Sequence, residues 1–483
     1  MTVENFLTAL RAAVGAGNVW TDLSDLAPLL QDWRGDVKGE ALAAVFPQSC
    51  EEVSAVLRIA AEAKRPIVPQ GGNTGLSYGA TARDAATGIV LGLRRMRMVR
   101  EIDRASNIVT VEAGLTLAEL HEEVARVERQ MPLRLGSEGT AQIGGLVSTN
   151  AGGTGALRYG PMRDLVAGVE VVLPDGRIFS DLAGLKKNNT GYDLKHLFIG
   201  AEGTLGVVTA AALRLHPLVR SSASAWLAFD ALPTAVEILM RLQERFDSAV
   251  QAVELLNADQ VAFALQHVPR TRLPFDQVPA WSLMIELGSS DPASDLKGAL
   301  EEWLITLVED DLVSDGFLSQ SVAQAEDIWH VRHSVSEANR IAGHSLSHDV
   351  AVRPSRVPEL IERAGEAVRT IHPEARILIV SHLGDGNVHF IAHFDHAAWA
   401  SFEDPERITG EVMDRVHDVT ASLGGTFSAE HGIGRKLVRS LAERTAPERL
   451  SLMREVKRML DPENRMNPGA LFSAEAKSTD PLA

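Results

Sequence analysis

Four blocks of glycine divide the first half of this chain, and they constrain its fold more than any other feature. The first is Pro69-Gln70-Gly71-Gly72-Asn73-Thr74-Gly75. The second is Gly136-Ser137-Glu138-Gly139, continuing to Gly144-Gly145. The third runs Thr149-Asn150-Ala151-Gly152-Gly153 and on to Arg158-Tyr159-Gly160. The fourth is Gly200-Ala201-Glu202-Gly203-Thr204-Leu205-Gly206. Each adjoins an apolar, strand-like segment. Glycine lets backbone N–H groups approach a ligand closely, and successive N–H groups in such turns form a concave anion site. One block alone reads as a tight turn. Four between residues 69 and 206 predict a large cofactor lying across several loops. None has the Gly-x-Gly-x-x-Gly spacing that opens a helix after a strand, nor the Walker spacing. A Rossmann dinucleotide site and a P-loop are therefore disfavoured.

The segments between the blocks alternate between helix and strand. Residues 51–64 place Val53, Val56, Leu57 and Ala60 at helical spacing. Residues 88–93 and 107–112 read as strands, 117–127 as a helix, and 169–180 as a hairpin around Pro174-Asp175-Gly176. The pattern changes near His216-Pro217. Beyond it, a helix at 234–245 and an apolar strand at 281–287 suggest a second, α+β domain. Glycine returns near residue 425, and a terminal helix is expected at about 446–460. At 483 residues the chain is too long for one core.

Charge and cysteine content narrow the function. The net charge of −17 disfavours a nucleic-acid partner, which needs a basic face. It leaves room for an anionic substrate held by a few arginines and a metal. The single cysteine, Cys50, permits no disulfide within the chain and fits a reducing compartment. No stretch is long and apolar enough to span a membrane, and the first residues lack the basic and apolar regions of a secretory signal. A cytoplasmic enzyme, at most peripherally attached to a membrane, is the expectation.

The first glycine block, the segment Gly144 to Gly160, Asn189-Thr190-Gly191-Tyr192-Asp193 and Glu202-Gly203-Thr204-Leu205-Gly206 together resemble the FAD domain of the vanillyl-alcohol-oxidase-type flavoproteins. Within that group the chain resembles the D-2-hydroxyglutarate, D-lactate and glycolate dehydrogenase branch. The resemblance spans roughly residues 37–475. It implies an α+β chain with an N-terminal segment (1–36), a PCMH-type FAD-binding domain (37–217), an α+β cap or substrate domain (218–424), a C-terminal segment returning to the flavin (425–475) and a tail (476–483). FAD contacts are expected from Pro69 to Gly75, from Gly136, Ser137, Gly139, Gly144, Gly145, Thr149, Asn150, Gly152, Gly153, Arg158, Tyr159 and Gly160, and from Glu202, Gly203, Gly206, Val207 and Asn467. Where many relatives carry a flavin-linking histidine, this chain has Asn73, so the resemblance implies non-covalent FAD.

A second constellation is Ser381-His382-Leu383-Gly384-Asp385-Gly386-Asn387-Val388-His389. Two apolar strands flank a Gly384-Asp385-Gly386 turn, which sets His382 and His389 across from each other. Further on comes Ser428-Ala429-Glu430-His431-Gly432. Two histidines and a carboxylate suit a catalytic divalent metal. A lone strand histidine is more often a satisfied core or edge residue, and His393 and His396 fall in that class. The resemblance implies His382, His389 and Glu430 as ligands, with zinc the leading ion; the same donors also suit manganese or iron. It implies His431 as general base, a role for which imidazole has a suitable pKa. It also favours Asn387 as a partner of the substrate carboxylate over a residue that serves the turn.

Substrate anchoring is expected at Arg332 and Ser336, four residues apart and on one face if the segment is helical. Arginine can clamp a carboxylate through paired hydrogen bonds. Relatives acting on D-2-hydroxyglutarate look similar here but place a lysine where this chain has Ser347. That departure removes a cation from the anchor. Asp349 is expected to be structural.

The implied reaction is oxidation of a D-2-hydroxy acid to the 2-oxo acid: metal-assisted removal of the hydroxyl proton by His431, with hydride transfer to flavin N5. Expected partners are the small-molecule hydroxy acid and an electron acceptor, with an electron-transfer flavoprotein, a quinone and a cytochrome all open. A homodimer is the assembly to test. The rival readings are a non-redox enzyme on the same flavin fold, such as an ether-lipid synthase, a flavin-free zinc hydrolase, and a non-catalytic binding protein.

Overall fold

A computed structural model describes residues 1–473. The expected tail, 476–483, and the last two residues of the 425–475 segment lie outside the described residues. The chain forms two compact units. One comprises Met1–Gly153, Gly160–Leu218 and the chain from Glu430 onward; the other comprises Thr154–Tyr159 and Val219–Ala429.

The first unit holds two main sheets. In one, β1 (Val19–Trp20), β2 (Glu40–Val45), β3 (Ile67–Gln70) and β4 (Arg83–Gly92) lie in the order β1-β2-β4-β3, and β2, β4 and β3 run parallel. The helix Cys50–Glu62 links β2 to β3; its N-terminal Ser49 side chain accepts the Glu52 N–H, satisfying one donor of the open helix end. Val53, Val56, Leu57 and Ala60 are buried, as their spacing predicts, against Ile67, Ile89 and Leu91. β3 ends at Gln70, so the first glycine block leaves the sheet at the end of a parallel strand.

The other sheet is antiparallel. β5 (Val99–Asp103), β6 (Ile108–Glu112), β8 (Val166–Val172), β9 (Ile178–Asp181) and β10 (Val207–Arg214) lie in the order β5-β6-β10-β8-β9, while β7 (Arg129–Gln130) pairs separately with β11 (His216–Pro217). β8 and β9 form the hairpin expected around Pro174-Asp175-Gly176. The helix Leu117–Ala125 opens with a reciprocal cap between Thr116 and Glu119.

The second unit is built on one antiparallel sheet of seven strands. These are β12 (Ser221–Phe229), β13 (Val250–Asn257), β14 (Trp281–Ser289), β15 (Asp315–Leu318), β16 (Gly343–Ala351), β17 (Arg376–His382) and β18 (Asn387–Asp395), in the order β15-β12-β14-β13-β17-β18-β16. Helices cover both faces. One face packs Leu255, Ile285 and Ile379 against the helices Thr234–Phe246 and Val357–Ile371. The other packs Trp226, Leu256, Met284 and Val380 against Val261, Ile328 and Val331. Burial on both sides explains why Ile377 to Val380 read as a continuous apolar run rather than an alternating one. No helix among the described residues is long and apolar enough to cross a membrane.

Candidate active site

The glycine blocks of the first unit do converge on one cleft. Its walls come from Pro69 to Gly75, from Gly144, Gly145 and Thr149, from Glu202, Gly203, Gly206 and Val207, and from His431 and Asn467. At Gly75 and Gly145 an added Cβ would meet nothing within 4 Å, so bare backbone faces open space there. Gly72 is required for a different reason: a Cβ there would stand 1.9 Å from the Thr140 carbonyl oxygen. Gln142 also lines the cleft, and its Oε1 is buried without a hydrogen-bond partner. A cradle of exposed backbone with an orphaned acceptor suits a polar, hydrogen-bonding cofactor such as FAD. Asn73 sits in the left-handed region at φ +53°, where asparagine is among the better-tolerated residues. Its amide donates to the Gln31 carbonyl at 2.7 Å.

Gly136, Ser137, Gly139, Asn150, Gly152, Gly153 and Gly160 do not line this cleft. Several serve close packing instead. A Cβ on Gly153 would stand 2.3 Å from the Arg134 carbonyl oxygen, and one on Gly152 would stand 2.7 Å from Glu430 Oε1. Asn150 Oδ1 accepts the Arg163 N–H. Arg158 and Tyr159 belong to the second unit, where Arg158 donates to the Gly288 carbonyl at 2.7 Å.

Glu202 has a role that glycine spacing does not reveal. Its carboxylate accepts the N–H of Ile433 at 2.8 Å and of Gly434 at 2.6 Å. Burial pushes this carboxyl up from its ordinary value, and the two N–H groups and Arg435 oppose that push. Glu202 thus grips the loop that carries Glu430 and His431. Ser77 grips the same loop from its other side, its hydroxyl donating to the carbonyls of His431 and Gly432 at 3.0 and 3.1 Å. Arg435, lowered to about 10 by burial, donates to the carbonyls of Tyr78, Gly79 and Pro468 and to Asn467 Oδ1. Asn467 closes the network by donating to the Glu202 and Gly79 carbonyls.

The second unit carries the histidine pair. In the β17–β18 hairpin His382 lies opposite Asn387, and His389 lies opposite Val380. The two histidines are therefore diagonal neighbours on one face, not directly opposed as the sequence suggested. Their ring centroids are 5.4 Å apart with planes at 79°, and a nitrogen of each lies within 4.8 Å of the other. That spacing lets two imidazoles converge on one divalent ion.

Behind His382 stands Glu254 of β13, opposite it in the sheet. The Glu254 carboxylate accepts from His382 Nδ1 at 2.6 Å and from Arg332 Nε at 2.6 Å. Burial pushes the Glu254 carboxyl up, but Arg332 and His382 outweigh it and hold the group at about 2. With Nδ1 donating to Glu254, a metal bond from His382 would use Nε2.

The substrate residues are placed less simply. Arg332 is buried, paired through Nε to Glu254. Ser336 is exposed and belongs to a separate helix, Val335–Ala342, after the helix Val322–His333 has ended. The two do not share one continuous helical face. The break lies at Ser334, whose hydroxyl donates back to the His330 carbonyl at 2.6 Å, a bond that bends helices. Asn387 also differs from expectation. Its Nδ2 donates to Asp349 Oδ1 and to the Val350 carbonyl, while its Oδ1 is buried with no partner. The free group is an acceptor, so it suits a hydroxyl or a bound water and not a carboxylate. Asp349 Oδ1 accepts from Asn387 and stands 3.8 Å from His389 Nδ1. Ser347 of β16 pairs with Ile391 of β18 and, two residues from Asp349, points to the face that bears His389.

Comparison with known proteins shows the family. Residues 41–181 match the FAD binding domain family and residues 218–471 the C-terminal domain of the FAD linked oxidases. A mitochondrial D-2-hydroxyglutarate dehydrogenase from Bos taurus is 33% identical over 474 residues, 98% of this chain and 84% of the relative. A D-2-hydroxyglutarate dehydrogenase from Xanthomonas citri pv. viticola is 32% identical over 480 residues, 98% of both chains. Among solved structures, p-cresol methylhydroxylase with substrate bound shares the fold, with a TM-score of 0.74 at 18% identity over 96% of each chain. This chain therefore belongs to the FAD-linked oxidases, as an oxidoreductase acting on CH–OH groups and built on the PCMH-type FAD-binding fold.

Proposed function

We propose that this protein oxidises a D-2-hydroxy acid to the corresponding 2-oxo acid, with non-covalently bound FAD and a divalent metal, zinc being the leading ion. The observation that carries the reading is its near-full-length likeness to D-2-hydroxyglutarate dehydrogenases. When bound, FAD supplies the hydride acceptor, and the cation supplies positive field at the substrate hydroxyl. The residues assigned to the metal are His382 and His389 together with Glu430. His431, on a loop held at both sides by backbone hydrogen bonds, takes the hydroxyl proton. Asn387 Oδ1 accepts from a water beside that hydroxyl. Arg332 offers its terminal N–H groups to a distal carboxylate, since Glu254 engages it through Nε.

The test is anaerobic bleaching of the flavin by 2-hydroxy acids of both hands and several lengths. Bleaching by D-acids supports the proposal; bleaching by none of them overturns it. Substrate length is read by the variant Ser347→Lys. A charge-assisted hydrogen bond contributes ~1.5–3 kcal/mol, about ten- to a hundredfold in affinity. Ser347→Lys should raise the ratio of kcat/KM for D-2-hydroxyglutarate over D-lactate within that range, and a flat or falling ratio would remove Ser347 from the anchor. The flavin linkage is checked separately. Asn73 cannot form the histidyl bond, so acid precipitation should leave the yellow chromophore in the supernatant, and colour retained in the washed pellet would contradict this.

A further inference from the structure

Glu254 stands alone as an ionisable residue among Val253, Leu255 and Leu256 on a central strand. It is 1% exposed, and a charge so placed persists only when it is paired and hydrogen-bonded. Its two oxygens divide their work. Oε1 receives His382 Nδ1 and Oε2 receives Arg332 Nε, each at 2.6 Å. The two partners come from β17 and from the helix Val322–His333, 128 and 78 residues away in sequence. One carboxylate therefore fixes the orientation of an imidazole and of a guanidinium.

We propose that Glu254 is a positioning residue that ties the metal imidazole of His382 to the substrate-anchoring guanidinium of Arg332. The inference rests on the function proposed above. It assigns neither a ligand nor a catalytic group to Glu254. Its effect on the metal is to hold Nδ1–H, so that Nε2 presents its lone pair to the cation and the ring is more basic. Its effect on the substrate is to hold Arg332 by one edge, so that the other edge meets a distal carboxylate without first losing side-chain freedom.

The decisive variant is Glu254→Gln, which keeps shape and length. Glutamine offers one acceptor and one donor group where Glu254 offers two acceptors. With Arg332 and His382 both donating, only one of them can be satisfied. Affinity for Zn²⁺, measured on metal-free protein by competition with a chelating dye and without substrate, should fall ~10–100-fold. The KM for D-2-hydroxyglutarate should rise relative to that for D-lactate, which has no distal carboxylate. Zn²⁺ affinity within twofold of the parent, or a change in only one of the two readouts, overturns the coupling. Should Glu254→Gln fail to fold, the parent protein decides the matter. With ¹⁵N-labelled histidine and Zn²⁺ bound, His382 should carry its proton on Nδ1; a proton on Nε2 overturns the proposal. A parent protein that binds no Zn²⁺ and reduces its flavin with no hydroxy acid would instead defeat the function on which the inference rests.

Discussion

Replacing His431 by alanine should slow anaerobic reduction of the flavin by ~10²–10⁴-fold, the usual worth of a positioned general base. The loop around His431 makes this a clean experiment. It is anchored by its backbone: Ser77 donates to the carbonyls of residues 431 and 432, and Glu202 accepts the N–H groups of residues 433 and 434. None of these bonds uses the imidazole, so His431→Ala should keep the loop in place and leave FAD and metal content near the parent level. Glu202→Ala provides the contrast. It leaves two backbone N–H groups without their acceptor and Arg435 without its buried counter-charge, so it should disturb the loop and loosen the flavin together. Stopped-flow absorbance with a saturating D-2-hydroxy acid reads the rate. A His431→Ala protein that reduces its flavin at the parental rate would leave His431 with a structural role only.

Local elements were readable because their physics is local. The helix Cys50–Glu62 has its apolar stripe and its Ser49 cap within one short segment, and the hairpin at Asp175-Gly176 is set by its turn residues. The glycine blocks pointed to the cleft through their clustering alone, whereas what a glycine clears can be a distant segment, as at Gly72, where a side chain would collide with Thr140. What remained hidden depends on chain topology. Glu254 offered one signal, a lone carboxylate in an apolar strand, but its partners follow only from the pairing of β13 with β17 and from the packing of the helix Val322–His333 on the sheet. Ser77 and Arg435 carried no signal at all, because the segments they tie together, around residues 77–79 and 431–435, lie more than 300 residues apart in the chain. The helix break between Arg332 and Ser336 turns on whether the Ser334 hydroxyl bonds back to residue 330. The role of Asn387 turned on which of its amide atoms Asp349 and Val350 consume, and spacing cannot show that.

Removing the metal should abolish turnover while leaving the FAD in place. A Lewis-acid cation contributes several kcal/mol to stabilising developing charge, and each ~1.4 kcal/mol is tenfold in rate, so a loss of about a thousandfold or more is expected. The glycine blocks of the cleft belong to the first unit and the histidine pair to the second, so chelation should strip the metal without bleaching the protein. His382→Ala and His389→Ala should both reproduce the loss, but they should differ in stability. His389→Ala removes a partly exposed side chain. His382→Ala takes one of two partners from the buried Glu254, and a buried acceptor left short of a donor costs about 1–3 kcal/mol. The melting temperature should therefore fall by several degrees more in His382→Ala than in His389→Ala, with both measured in metal-free protein so that ligand stabilisation is absent. Elemental analysis, flavin absorbance and turnover on the same samples separate the three effects. Full activity in a preparation shown to be free of metal would end the metal assignment, and equal melting temperatures in the two variants would show that Glu254 does not depend on His382.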